Sequence, residues 1–197
     1  MNLLAFSDLH ASRKQAALLV EAAAKADLVI GAGDFCNMRQ GLPEALALLR
    51  GIAAPMVLVP GNAESAEELR AAAGPGVTVL HGAGTEVAGI RLFGLGYGVP
   101  PTPFGAWSCD LSEAEAEAML APCDTADILI THSPPKGIAD RTSTGLSVGS
   151  TAIRAAIDRI QPGLALCGHI HDSWGQEGQL GATRVVNLGP FANWFEL

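Results

Sequence analysis

Five apolar runs in this sequence end in residues that could hold a metal. Leu3-Leu4-Ala5-Phe6 leads to Asp8-Leu9-His10, and Leu28-Val29-Ile30 leads to Gly33-Asp34. Met56-Val57-Leu58-Val59 leads to Gly61-Asn62, and Ile128-Leu129-Ile130 leads to Thr131-His132. Leu164-Ala165-Leu166-Cys167 leads to Gly168-His169-Ile170-His171. Four of the five histidines in the chain sit at these ends. Imidazole is the commonest protein metal ligand. A lone His-x-His is weak, and a single polar residue after a strand is an ordinary loop starter. Five such ends together bring carboxylate, amide and imidazole groups to one edge of a sheet. In open α/β sheets, that edge is where ligands bind.

The set Asp8, His10, Asp34, Asn62, His132, His169 and His171 offers oxygen and nitrogen but no sulfur. It suits manganese, iron, cobalt, nickel or zinc better than calcium, magnesium or cuprous copper. Seven ligands are too many for one tetrahedral ion. They suit two ions about 3.5–4 Å apart, which clamp both oxygens of an in-line phosphoryl displacement, with one carboxylate between them. A water bridging the ions would become hydroxide near neutral pH, because coordination lowers its pKa to about 7.

The elements that must position these residues follow from periodicity. Strands are predicted at Leu3–Phe6, Asp27–Ile30, Met56–Val59, Asp127–Ile130 and Leu164–Cys167. Helices are predicted from Ser12 to Lys25, Pro43 to Arg50, Ser65 to Ala72, Ser112 to Leu120 and Ser150 to Ile160. Ser12 is an expected N-cap, and Ser112 with Glu115 forms a capping box. This alternation indicates a mostly parallel sheet with right-handed crossovers. Shorter strands at Val77–Leu80, Thr85–Ala88, Ile90–Gly94 and Thr183–Val186 complete the pattern, with a hairpin turning at Gly89. His81 lies among turn-formers and reads as a surface turn residue. The stretch from Gly94 to Asp110 carries Tyr97, Phe104 and Trp107 in a long Gly- and Pro-rich loop. Such a loop is either a pocket wall or an aromatic-anchored surface segment.

Composition sets the bounds. Hydrophobic residues make up 49% of the 197, and the net charge is -8 at pH 7. A packed core is expected, in one domain spanning residues 1–197. The acidic balance argues against binding nucleic acid or anionic membrane. No apolar stretch reaches the ~20 residues of a membrane span. The N-terminal apolar run is too short for a signal peptide, and Asp8 interrupts it. Cys36, Cys109, Cys123 and Cys167 show no C-x-x-C spacing. They fit reduced thiols in the cytoplasm, with Cys36 and Cys167 as small core residues.

Asp8-x-His10, Gly33-Asp34, Gly61-Asn62, His132 and Gly168-His169-x-His171, in this order, resemble the motifs of the calcineurin-like metallophosphoesterase superfamily. The resemblance runs from Asp8 to Asn187-Leu188-Gly189-Pro190. His132-Ser133-Pro134-Pro135 and the run ending in Asp172 look most like its small phosphodiesterase branch. The resemblance implies an α/β (α+β) fold, a four-layer α-β-β-α sandwich. It implies that Asp8, His10 and His171 bind one metal, that Asn62, His132 and His169 bind a second, and that Asp34 bridges them. It places Asp34, Asn62 and His132 at the chemistry. It implies two divalent transition-metal ions, manganese first, and hydrolysis of a small soluble phosphoester. Other branches imply a non-catalytic assembly subunit, a phosphomonoesterase or a nuclease. One departure matters. The family usually carries a histidine after the asparagine, as proton donor to the leaving group, and this chain reads Gly61-Asn62-Ala63-Glu64. Losing a general acid typically costs about 10²–10⁴-fold. Diesters with acidic leaving groups suffer least. Glu64 could substitute as the acid, or serve only as a partner of the helix dipole.

Overall fold

A computed structural model describes all 197 residues. The strands are β1 (Asn2–Phe6), β2 (Leu28–Gly31), β3 (Met56–Leu58), β4 (Val77–Val79), β5 (Ala83–Val87), β6 (Ile90–Leu95), β7 (Ile128–Thr131), β8 (Leu164–Cys167), β9 (Glu177–Leu180), β10 (Thr183–Asn187) and β11 (Asn193–Glu196). The helices are α1 (Arg13–Ala23), α2 (Leu42–Ala47), α3 (Ala66–Ala72), α4 (Glu113–Leu120) and α5 (Thr151–Ile160). The strands form two sheets, ordered β11-β1-β2-β3-β4 and β5-β6-β7-β8-β10-β9. Neighbours from β1 to β4 are parallel, as are β6-β7, β7-β8 and β8-β10. The antiparallel strands β11, β5 and β9 lie at sheet edges.

Strand alternation explains the layers. Successive side chains on a strand point to opposite faces. Leu3, Ala5, Leu28 and Ile30 of one sheet meet Ile128, Ile130, Leu164 and Leu166 of the other in a core between the sheets. Leu4, Phe6 and Val29 turn the other way and pack with Ala16 and Leu19 of α1. Leu129 and Ala165 turn toward Ala116 of α4 and Ile153 and Ile157 of α5. Both faces of the central strands are buried, so they read as continuous apolar runs. The result is the expected α-β-β-α sandwich. Cys36 and Cys167 belong to the two helix-side cores, as small buried residues. All four cysteines are free.

The helices begin where their caps stand. The Ser12, Ser65, Ser112 and Ser150 side chains each accept an N–H from the first turn that follows. Glu113 also accepts from the N–H groups of Thr151 and Ala152, so α4 carries a cap for α5. Two strands lie outside the sequence expectation. β9 and β11 are edge strands, half exposed and partly polar, with no apolar run to mark them. Beside β11, which pairs with β1, the Met1 amino group donates to the Leu197 carbonyl at 2.9 Å. No helix is long and apolar enough to cross a membrane.

The layer assignment predicts a contrast in stability. Leu166 is fully buried between the sheets, whereas Leu18 on α1 is 53% exposed. Leu166→Ala should cost about 2–5 kcal/mol, and Leu18→Ala should stay within about 0.5 kcal/mol. Urea unfolding of both variants checks this.

Candidate metal centre

All the expected ligands gather at the carboxyl ends of the strands. Asp8 and His10 follow β1, Asp34 follows β2, Asn62 follows β3, His132 follows β7, and His169 and His171 follow β8. The backbone is bent hard to bring them in. Asp8, His10, Asp34 and His169 have φ of 53°, 47°, 57° and 68°. Side-chain-bearing residues seldom adopt this left-handed region, and such strain gathers at functional sites. Neighbouring loops hold it in place. The Asp8 N–H donates to the Gly33 carbonyl, and the His10 N–H donates to the Asp34 carbonyl, both at 2.9 Å. Two glycines are required sterically. Gly33 has φ +96°, and a Cβ there would lie 2.6 Å from both Gly61 Cα and His132 Nδ1. A Cβ on Gly168 would lie 2.5 Å from Asp8 Oδ2.

The side chains converge in two overlapping groups. The donor atoms of Asp8, His10 and His171 lie within 4.8 Å of one another, as do those of Asp8, Asp34 and His132. Asp34 straddles them. Its Oδ2 is 3.6 Å from His10 Nε2, and its Oδ1 is 3.4 Å from His132 Nε2. Asn62 Oδ1 joins from β3, 3.2 Å from His132 Nε2. His169 belongs to neither group. Its ring lies 4.9 Å from that of His132, centroid to centroid, and its N–H donates to Asp8.

Hydrogen bonds decide which imidazole nitrogens are free. His132 Nδ1 donates to the Ala32 carbonyl at 2.8 Å, and His10 Nδ1 donates to the Cys36 carbonyl at 3.2 Å. Each bond fixes the tautomer and turns a bare Nε2 lone pair into the cluster. Asn62 Nδ2 donates to Ser108 Oγ at 3.1 Å, so Asn62 Oδ1 faces His132 Nε2 lone pair to lone pair. The His10 Nε2 lone pair also points at His171 Nε2, 3.2 Å away. Acceptors that point at one another call for a cation among them, so the residues fit a transition-metal centre.

The electrostatics agree. Burial, and then the charge of Asp8, push the Asp34 carboxyl up to about 7. Burial would raise Asp8 too, but its hydrogen bond to His171, the nearby His132 and the Ser7 hydroxyl hold it at about 2. Burial, and then His132, press His169 down to about 3, which keeps its ring in the neutral, ligating form. The pocket therefore buries two carboxylates beside a neutral imidazole.

Several positioning residues lie outside the sequence expectation. The Trp174 indole N–H donates to Asp8 Oδ2 at 3.1 Å, and the ring packs 4.3 Å from that of His171. The Ser7 hydroxyl donates to the same oxygen at 2.5 Å. The Asn187 amide donates to the carbonyls of Gly168 and Ile170 and so holds the histidine loop. Neither expected role of Glu64 survives. It precedes the N-cap Ser65 and is fully buried. It accepts N–H groups from Gly61 at 2.7 Å, Asp34 at 2.8 Å, Phe35 at 3.1 Å and Cys36 at 3.3 Å. It is a strut between the Asp34 and Asn62 loops, with no oxygen left for a leaving group. His81 does lie in the bend between β4 and β5, as expected, but half-buried. Its Nδ1 accepts the Gly96 N–H, its ring packs 4.2 Å from that of Tyr97, and burial lowers its pKa to about 4. The Gly94–Asp110 loop is a wall of the pocket, since Ser108 holds Asn62 and Phe104 stands 6.5 Å from His169, ring to ring.

Glu64→Gln tests the strut. It exchanges one acceptor oxygen for an amide that faces N–H donors, and each buried donor left unpaired costs about 1–3 kcal/mol. The variant should lose about 2 kcal/mol or more in urea unfolding with chelator present. It should also bind Mn²⁺ more weakly by calorimetry. Unchanged stability would mean that the two loops hold each other without it.

Comparison with known proteins places this geometry. The profile of the calcineurin-like phosphoesterase superfamily domain matches residues 1–196. Human metallophosphoesterase domain-containing protein 1 is 36% identical over 107 residues, which cover 51% of this chain and 31% of that protein. The chain spans between 26% and 37% of the length of the curated relatives it matches. The structure of TT1561 from Thermus thermophilus superposes with a TM-score of 0.76 at 20% identity, covering 95% of this chain and 88% of that one. A dimetal phosphatase from Danio rerio superposes with a TM-score of 0.63 at 12% identity, covering 97% and 88%. These two share the fold. With the profile match running almost end to end, the chain belongs to the calcineurin-like phosphoesterase superfamily.

Proposed function

We propose that this chain hydrolyses a small soluble phosphoester with two divalent transition-metal ions, manganese first among them. We propose further that it prefers phosphodiesters with acidic leaving groups. The observation that carries the reading is Asp34, whose two oxygens each face the histidine of a different donor group. Asp8, His10 and His171 would hold one ion. Asn62, His132 and His169 would hold the other, with Asp34 shared. Ions so held act as Lewis acids that ready water for attack near neutral pH and neutralise charge on phosphoryl oxygens. The Danio rerio neighbour is itself described as a dimetal phosphatase.

The chain's own residues do the rest. Trp174, Ser7 and the His169 N–H fix both oxygens of Asp8. Ser108 turns Asn62 so that its oxygen faces the cluster. No side chain at position 63 can give a proton to a departing alkoxide, and Glu64 is fully occupied by backbone. An aryloxide leaves without that help, which is the ground for the preference for acidic leaving groups. The net charge of -8 suits a small-molecule substrate rather than nucleic acid or membrane. Four free thiols suit a reducing compartment, and we propose the cytoplasm.

Two experiments test this. EDTA should abolish turnover of an aryl phosphodiester, and Mn²⁺ should restore it; activity that survives chelation ends the two-metal reading. After dialysis, Asp34→Ala should retain little metal of either kind, while His10→Ala should lose about one ion per chain. Full occupancy in Asp34→Ala would remove Asp34 from the centre.

Ala63→His tests the leaving-group argument. Ala63 is 2% exposed, so an imidazole there must displace neighbours at about 1–3 kcal/mol in stability. If it seats, kcat/KM should rise for alkyl esters by up to about the 10²–10⁴-fold of general acid catalysis, and change little for aryl esters. Equal effects on paired alkyl and aryl substrates would show that position 63 does not govern leaving-group protonation.

A further inference from the structure

The loop between β6 and α4 is built onto the metal centre. The Tyr97 N–H donates to the Pro60 carbonyl at 3.0 Å, and the Val99 N–H donates to Ser133 Oγ at 2.8 Å. Ser108 Oγ accepts from Asn62 Nδ2, and the Cys109 N–H donates to the Asn62 carbonyl at 2.9 Å. Within the loop, the hydroxyls of Thr102 and Ser108 donate to the two oxygens of Asp110, both at 3.0 Å. On this fixed base stands Phe104, which is 51% exposed. Its ring lies parallel to that of Trp107, 2° apart in plane and 5.8 Å between centroids. It stands at 64° to the ring of His169, 6.5 Å away. Exposed apolar side chains are common singly. This one differs in having a stacked partner behind it, a rigid base, and a position beside an imidazole of the proposed centre.

We infer that Phe104, backed by Trp107, is a specificity-determining platform that stacks a flat aromatic group of the substrate. The group is an aryl ring ester-linked to the phosphoryl group, or a nucleobase carried on a sugar phosphate, with the phosphoryl group on the ions that Asp8, Asp34 and Asn62 would hold. The inference rests on the phosphoesterase reading above. The separation between Phe104 and His169 is short enough for one ester linkage to span. Flat rings stack on aromatic side chains whatever their hydrogen-bonding pattern. The absent imidazole at position 63 independently favours an acidic, aryl-type leaving group, so it supports the aryl ester and not the sugar alkoxide of a nucleotide.

The test compares Mn²⁺-loaded wild type, Phe104→Ala and Phe104→Leu by calorimetric binding of phenyl phosphate, adenosine 5′-monophosphate and methyl phosphate. Phe104→Ala should weaken binding of a ring-bearing ester on the order of tenfold, the scale of one stacking contact. Phe104→Leu, which keeps apolar bulk but has no ring, should recover only part of that loss. Methyl phosphate affinity and bound Mn²⁺ should not move. A loss confined to phenyl phosphate marks an aryl substrate, and a loss confined to the nucleotide marks a nucleobase. A wild type that binds both ring-bearing esters no tighter than methyl phosphate overturns the platform. So does a Phe104→Ala change that is uniform across the three ligands. Turnover of aryl and alkyl diesters is measured separately: its absence would end the phosphoesterase reading and leave the binding result to judge Phe104 alone.

Discussion

Two carboxylates, Asp8 and Asp34, share one buried pocket, and the surrounding structure answers the repulsion between them. Like charges in a low-dielectric site cannot both stay ionised without compensation. For Asp8 the protein supplies an indole N–H, a hydroxyl, a backbone N–H and His171. For Asp34 it supplies the Ala63 N–H and the edges of His10 and His132. The remaining imbalance is what suits the pocket to multivalent cations. The left-handed turns at Asp8, His10, Asp34 and His169 exist to bring these groups together. The Glu64 strut locks two of the loops that carry them. It does so with backbone N–H groups rather than side chains, so loop position is fixed independently of whatever the ligands hold.

The ligand set was legible because of the sandwich itself. Strands buried on both faces read as unbroken apolar runs, so each run ended visibly at a polar residue. Residues after β1, β2, β3, β7 and β8 could therefore be collected before any topology was known. Serine caps made the helices nearly as plain. The edge strands β9 and β11 were hidden by the converse: their half-exposed faces carry Glu177, Gln179, Asn193 and Glu196, with no periodicity strong enough to announce them.

The supporting residues were less legible, for a reason of distance and direction. Trp174 reaches Asp8 across 166 positions of sequence, and no local pattern marks an indole N–H as the orienter of a carboxylate. Glu64 sits beside a ligand in sequence, which invites a chemical role, but its side chain turns inward to backbone donors. His81 lies among glycines, yet its ring packs against that of Tyr97 and its Nδ1 accepts the Gly96 N–H. The loop carrying Phe104 and Trp107 suits two roles in sequence, and only the Ser108 contact to Asn62 selects the pocket wall. Sequence spacing reveals which groups a strand end presents, but not which way a neighbouring side chain turns.

The pairing of β1 with β11 has a kinetic consequence. β1 pairs on one side with β2, close by in sequence, and on the other with β11, from the far end of the chain. Contacts between residues so far apart in sequence form late, because the long loop between them must close first. During synthesis β1 would emerge well before β11 and keep one edge unpaired until β11 had followed. Its Leu3 and Ala5 would wait for the second sheet to cover them. An open strand edge beside uncovered apolar side chains is a template for wrong pairing. The same strand that delivers Asp8 and His10 is therefore exposed to misassembly before β11 arrives.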